Sequence, residues 1–219
     1  MKVDLHVHTC YSPDSLSSLE DIVERCQTMG IGCIAVTDHG TIEGALRMKE
    51  MASFPVIVGE EVMSTAGEII GYFLNEGIPA GLTPTQVMSR IKTQGGLVCL
   101  PHPFDGLGRH PLKETDREGL LSQIDVIEVF NARSIRKNFS EQALQFAERH
   151  GFIQSAGSDA HSVSEIGNAY VQMVEFNGPE EFKTALAQGQ IFGRRNSIRN
   201  RVMTVLATMP KRVRYRCHV

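Results

Sequence analysis

Val3-Asp4-Leu5-His6-Val7-His8-Thr9 is an apolar, β-branched run that ends in two histidines two residues apart. Side chains alternate across a strand, so His6 and His8 face the same way and both imidazoles can reach one metal ion. Beyond it, residues 19–29 read as a helix with Ile22, Val23 and Cys26 on one face and Gly30 as its stop. Strands are expected at 33–37, 56–58, 69–74, 97–100, 126–130 and 152–156, with 69–74 placed to form a hairpin with 56–58. Helices are expected at 42–51, at 84–94 with Pro84 at its start, at 140–150 with Ser140 as N-cap, and from Pro179 onward. This alternation of short β-rich runs with amphipathic segments is the mark of a parallel α/β sheet or barrel.

The polar residues fall in a pattern. His6 and His8, Asp38 and His39, Glu61, His102, Asn131 and Arg133, and Asp159 and His161 each lie at or just past the carboxyl end of an expected strand. In β/α barrels and open α/β sheets, groups from distant parts of the chain converge at that edge, so one shared site is expected. Its mixture of imidazole and carboxylate suits zinc, manganese or iron. A bridging carboxylate such as Glu61 lets two cations sit close together, and such a pair can activate water and stabilise charge on a phosphoryl oxygen. Asp4 and Asp38 stand next to these candidates in sequence and are expected to support them by hydrogen bonding. His110, His150 and His218 lack the context and receive no role.

Bulk properties narrow the class. At 219 residues, with 42% hydrophobic and 21% charged residues, the chain has the composition of a soluble globular protein and the length for one large domain. A net charge of −3 gives no positive field to favour nucleic acid or membrane. The exception is the end, where Arg194, Arg195, Arg199, Arg201, Lys211, Arg212, Arg214 and Arg216 meet no acidic residue. Residues 196–219 are accordingly expected to be a basic, solvated tail after a domain spanning 1–195. Cys10, Cys26, Cys33, Cys99 and Cys217 show no paired spacing, and no apolar stretch spans a bilayer, so a cytoplasmic protein is expected.

The sequence resembles the polymerase and histidinol phosphatase (PHP) phosphoesterases. The resemblance is carried by Asp4-Leu5-His6-Val7-His8-Thr9, Thr37-Asp38-His39-Gly40, Gly59-Glu60-Glu61, Pro101-His102-Pro103 and Gly157-Ser158-Asp159-Ala160-His161, in family order. It implies an α/β fold, a distorted (β/α)7 TIM-like barrel, with two or three divalent metal ions. Carried over by position, His6, His8, Glu61 and Asp159 would hold one metal, Glu61 and His102 a second, and Asp14, His39 and His161 a third. Many relatives have a histidine where this chain has Asn131, and a neutral amide oxygen is a poor ligand, so the second metal is expected to be weakly held or absent. A related subgroup also has Asn here.

The expected function is a metal-dependent phosphoesterase that hydrolyses a small phosphorylated substrate, a phosphomonoester or nucleotide phosphate, with metal-activated water. Arg133, Arg194 and Arg195 are candidates for binding the phosphate. His39 and His161 are candidates for catalytic proton donation, with a metal-bound water as the alternative. Two other readings stand beside it: a 3'-5' exonuclease-type phosphodiesterase acting on nucleic acid, and a catalytically silent metal-binding regulatory domain. Against the nuclease, aromatic residues make up 6% and tryptophan is absent, which leaves little for stacking bases.

Overall fold

A computed structural model describes residues 1–107 and 109–216. In chain order the elements are β1 (Lys2–Val7), α1 (Leu19–Met29), β2 (Cys33–Val36), α2 (Glu43–Met51), β3 (Val56–Ser64), β4 (Gly67–Tyr72), α3 (Pro84–Thr93), β5 (Leu97–Leu100), α4 (Glu114–Gly119), β6 (Val126–Asn131), α5 (Lys137–His150), β7 (Ile153–Gly157), β8 (Ala169–Gln172), α6 (Gly178–Ala187), β9 (Gln190–Gly193) and α7 (Ile198–Arg216). Local chemistry sets several of these boundaries. Ser18 accepts the Asp21 N–H to open α1, and Gly30 closes it at φ +64°, a conformation that carries no Cβ penalty in glycine. Thr83 and Gln86 form a reciprocal capping box at the start of α3, with Pro84 at its first turn.

The strands form one sheet in the order β7-β6-β5-β4-β3-β2-β1-β8-β9. Within it β1, β2 and β3 run parallel, as do β5, β6 and β7, whereas β4 is antiparallel to both β3 and β5. The segment after β7 returns to β1: His8 N donates to Ala160 O at 3.0 Å, and Ser158 N donates to the Asp4 carboxylate at 2.9 Å. β1 to β7 therefore make a nearly closed barrel, while β8 and β9 extend the sheet from the amino half of β1. The expected barrel and its β3–β4 hairpin are both present.

Two apolar layers hold it. Outside, Val7, Ile34, Val36, Val58, Val98 and Ile127 pack against Ile22, Ala45, Met48, Ile91 and Phe146 of the helices. Inside, Leu5, Ala35, Ile57, Tyr72 and Cys99 fill the barrel, and Phe182 of α6 packs edge-on against Tyr72. Burying side chains of this size stabilises the fold by roughly 1.5–3 kcal/mol each.

Some expectations are corrected. α5 begins at Lys137, one turn before Ser140, which lies inside the helix, and the N-cap residue is Arg136 without a side-chain cap. Ser140 Oγ instead accepts from Arg195. β8 and β9 are four residues each, too short for a periodic signal. The stretch read as a tail is helical over Ile198–Arg216. Lys211 donates from that helix to the carbonyl oxygens of Cys10, Ser12 (2.5 Å) and Ser15 (2.9 Å). Cys217 and His218 lie outside the described residues.

Candidate metal centre

His6 is on β1 and His8 just past it, with a register irregularity between Asp4 and Val7 where β1 pairs with β2. Their Nε2 atoms lie 3.1 Å apart. Glu61 Oε2 is 3.1 Å from His6 Nε2 and 3.3 Å from His8 Nε2, and Asp159 Oδ1 is 3.8 and 3.5 Å from the same nitrogens. All four residues are at most 2% exposed. A tetrahedral site with bonds of about 2.1 Å has ligand atoms ~3.4 Å apart, so these separations match the edges of a coordination shell. Asp159 Oδ1 makes no hydrogen bond despite its burial, a costly omission unless a cation faces it.

Proton accounting points the same way. His6 Nδ1 is 3.1 Å from Glu128 Oε1, His39 Nδ1 is 3.3 Å from Glu61 O, and His161 Nδ1 is 2.9 Å from Asp159 O. In each case Nδ1–H donates to the oxygen, so a neutral ring carries its lone pair on Nε2. His161 Nε2 then meets Asp14 Oδ2 at 3.0 Å, and His39 Nε2 meets the same oxygen at 3.5 Å. Two acceptors at such distances require a proton or a metal ion between them. Glu61 divides its oxygens, with Oε2 toward His6, His8 and His39 and Oε1 at 3.1 Å from His102 Nε2.

The charges respond to this crowding. Burial alone would raise the Asp14, Glu61 and Asp159 carboxyls, yet all three are held well below their usual range. The opposing cause is His161 and His39 at Asp14, His6 and His39 at Glu61, and Arg109 and His6 at Asp159. Burial works to lower His39, but Glu61 and Asp14 push it up to about 10. Burial and the neighbouring Arg133 push His161 down to about 3. The cluster is thus a buried concentration of ionised carboxylates beside imidazoles, the donor set of a hard to borderline divalent cation.

Backbone strain and close packing fix it. His102 and Asp159 hold φ at +31° and +50°, values that L residues rarely adopt and that concentrate at functional sites. A Cβ at Gly157 would lie 2.3 Å from His6 Cβ, so glycine is needed where β7 closes on β1. Asp4 takes the Ser158 and Gly167 N–H groups at 2.9 and 3.0 Å, and Asp38 takes the Thr9 N–H and hydroxyl at 2.6 Å each. Both aspartates tie strand ends together, as expected from their place beside ligands in the sequence.

His6, His8, Asp14, His39, Glu61, His102, Asp159 and His161 are therefore brought together. Arg133 lies beside His161, and its Nη1 is 3.4 Å from Glu165 Oε2, which also accepts the His161 N–H at 2.9 Å. Arg194 Nε donates to Asn168 Oδ1 at 2.8 Å. Arg195 donates to Ser140 and stacks over Phe130, so both arginines are engaged on the β9 side. Three polar residues were not singled out from the sequence. Glu128 orients His6, Glu68 approaches His102, and Arg109 donates to Asp159 and, at 3.3 Å, to Asn131 Oδ1. Plain alternation would send Glu128 and Asn131, three residues apart, to opposite faces, and the register irregularity between Glu128 and Phe130 lets both reach the site. Next to His161 a cavity of about 420 Å³ opens between Leu16, Ser162 and the α7 residues Met203, Thr204 and Ala207.

Known proteins resemble this chain in sequence and in fold. Residues 4–93 match the PHP domain family and residues 138–191 the PHP-associated family. An uncharacterized protein of Methanocaldococcus jannaschii is 38% identical over 198 residues, covering 85% of this chain and 79% of its own length. A protein of Caldicellulosiruptor saccharolyticus named probable phosphatase is 23% identical over 220 residues, covering 83% and 90%. Among solved structures, a two-domain Bacteroides vulgatus protein containing a PHP-like metal-dependent phosphoesterase superposes with a TM-score of 0.73 at 18% identity. That superposition covers 89% of this chain and 65% of the other. The lesion-specific endonuclease of Pyrococcus furiosus gives 0.63 at 16% identity, over 87% and 57%.

Proposed function

Because this chain belongs to the PHP family of metal-dependent phosphoesterases, we propose that it hydrolyses a small phosphorylated substrate, a phosphomonoester or nucleotide phosphate. The observation that carries the reading is the buried set of His6 Nε2, His8 Nε2, Glu61 Oε2 and Asp159 Oδ1, with neighbouring atoms 3.1 to 3.8 Å apart. We assign one divalent ion to these four residues, a second to the His102 side of Glu61, and a third to Asp14, His39 and His161. Zinc, manganese and iron all suit the donors. Bound there, such ions supply an acidified water and neutralise charge on phosphoryl oxygens.

The chain's own residues do the rest. Glu128, the Glu61 carbonyl and the Asp159 carbonyl fix the rings of His6, His39 and His161 with Nε2 inward. A ring that ligates through Nε2 holds no proton there, so His39 and His161 are assigned to holding the metal, and the leaving group takes its proton from solvent in the site. Arg133, braced by Glu165, is assigned to the non-bridging oxygens of the phosphate. Arg109, braced by Asp159, is assigned the same task. Arg194 and Arg195, engaged with Asn168 and Ser140, are left out of the reaction. Residues 1–195 are taken as the catalytic unit, with 196–219 as an extension whose α7 residues border the cavity. Free Cys10, Cys26, Cys33 and Cys99 favour a reducing compartment, and we assign the enzyme to the cytoplasm.

The likeness to a lesion-specific endonuclease supports a second reading, a phosphodiesterase on nucleic acid. The cavity of about 420 Å³ and the net charge of −3 favour the small substrate. The test is turnover of the manganese-loaded protein on phosphomonoesters, nucleoside bisphosphates and single-stranded DNA. Hydrolysis of the small esters with DNA left intact is expected. DNA degradation without monoester hydrolysis would transfer the assignment to a nuclease, and full metal loading with no turnover would leave a silent binding domain.

A further inference from the structure

α7 borders one side of the centre. Met203, Thr204, Ala207, Thr208 and Lys211 recur at the spacing of a single helical face, and that face meets the loop of residues 10–17, which carries Asp14. Lys211 fixes the contact. Its ammonium has three N–H donors, and they go to the carbonyl oxygens of Cys10, Ser12 and Ser15. Ser15 Oγ in turn lies within hydrogen-bond reach of His8 O at 3.1 Å and His161 O at 3.2 Å, so the wall made by α7 is tied through this loop to the metal centre.

The cavity of about 420 Å³ left between them is continuous with the centre, because His161 lines it as well. Pockets that take small molecules run from roughly 300 to 1,000 Å³, so it has room for more than a phosphate. Leu16, Val163, Met203 and Ala207 give it apolar walls, and among the described residues no Asp, Glu, Lys or Arg lines it. Leu16 and Met203 are 54% and 60% exposed, apolar surface that a bound ligand would take out of water. Ser17 also lines the cavity, and its buried hydroxyl has no hydrogen-bond partner, which leaves one polar group of the wall unspent. Lys211 cannot serve a second anionic group, since its three donors are committed.

We propose that this cavity receives the alcohol part of the phosphoester, and that the substrate is a phosphomonoester of an uncharged, mainly apolar alcohol in preference to one carrying a second phosphate. This rests on the phosphoesterase reading above and adds to it the class of leaving group. The phosphate lies at the His161 end, beside the centre, and the body of the alcohol lies against Met203 and Ala207. Water's oxygen bonds to phosphorus as the bond from phosphorus to the alcohol oxygen breaks; one proton of the water ends on the alcohol and the other stays with the phosphate.

The test compares 2-phenylethyl phosphate with ethyl phosphate on the manganese-loaded full-length protein. Their alcohols have similar acidity, so intrinsic reactivity does not decide the outcome. The wild type should favour the phenylethyl ester in kcat/KM by about tenfold or more, and should favour it over a nucleoside 3',5'-bisphosphate too. Ala207→Trp fills the cavity and Met203→Ser strips an apolar wall, and each should bring the ratio of phenylethyl to ethyl ester towards one. Met203 is exposed, so Met203→Ser keeps the test open if Ala207→Trp does not fold. Binding of 1-naphthol to the protein without added metal, followed by naphthol fluorescence, is a readout independent of turnover and should weaken about tenfold in both variants. A wild type with no preference for the phenylethyl ester, a preference that survives in a folded variant, a bisphosphate turned over faster, or naphthol binding unchanged in both folded variants would overturn the assignment of the cavity. A wild type that hydrolyses no ester, while naphthol binding still responds to the variants, would instead overturn the phosphoesterase reading, a distinct result.

Discussion

The two sides of the centre are built differently. On one side β1 and β7 contribute His6, His8, Asp159 and His161 from two short motifs at the carboxyl ends of parallel strands. On the other the β3–β4 hairpin, the loop after β5 and the end of β6 contribute Glu61, Glu68, His102, Arg109 and Asn131, from strands of both directions. The first side is histidine-rich and packed closely where Gly157 meets His6. The second is carboxylate- and guanidinium-rich and carries the departure at Asn131. The contrast suggests a division of labour in which the first side anchors metal and the second adjusts charge and substrate contact.

This division can be broken at its strongest point. His8→Ala removes a nitrogen placed between Glu61, Asp159 and His6, and it should abolish both metal binding and turnover to the limit of detection while leaving the circular dichroism spectrum intact. Activity surviving that change would mean that the anchoring side has been misassigned. Glu128→Gln tests the support behind the same side. The amide no longer favours the His6 tautomer with Nε2 bare, and metal affinity should fall roughly 10–100-fold in a titration. The smallest effect is expected at the periphery. Arg195→Ala loses a stacking contact on Phe130 worth about 0.5–1 kcal/mol, so the melting temperature should drop slightly while kcat/KM stays unchanged.

The same contrast explains what was legible in the sequence. His6 and Glu61 lie within β1 and β3, and His8, His39, His102, Asp159 and His161 follow strands whose carboxyl ends face the site, so searching those ends finds them. Glu68 escapes that search because β4 is reversed and brings its beginning, not its end, to the active edge. Arg109 escapes because it sits in an irregular loop, where no periodicity assigns a direction to the side chain. Asn131 was visible as a departure, but its consequence was not: only the pairing of both N–H groups and both lone pairs shows that the residue has another task. The barrel itself was legible from the alternation of runs. β8, β9 and the true start of α5 were not, being too short or capped without a side-chain signal.

The most direct test is the metal content of the wild-type protein after equilibration with manganese or zinc and removal of free ions. At least two divalent ions per chain are expected, falling to none on the anchoring side in His8→Ala. A folded wild-type protein that stays free of metal under those conditions would contradict the account.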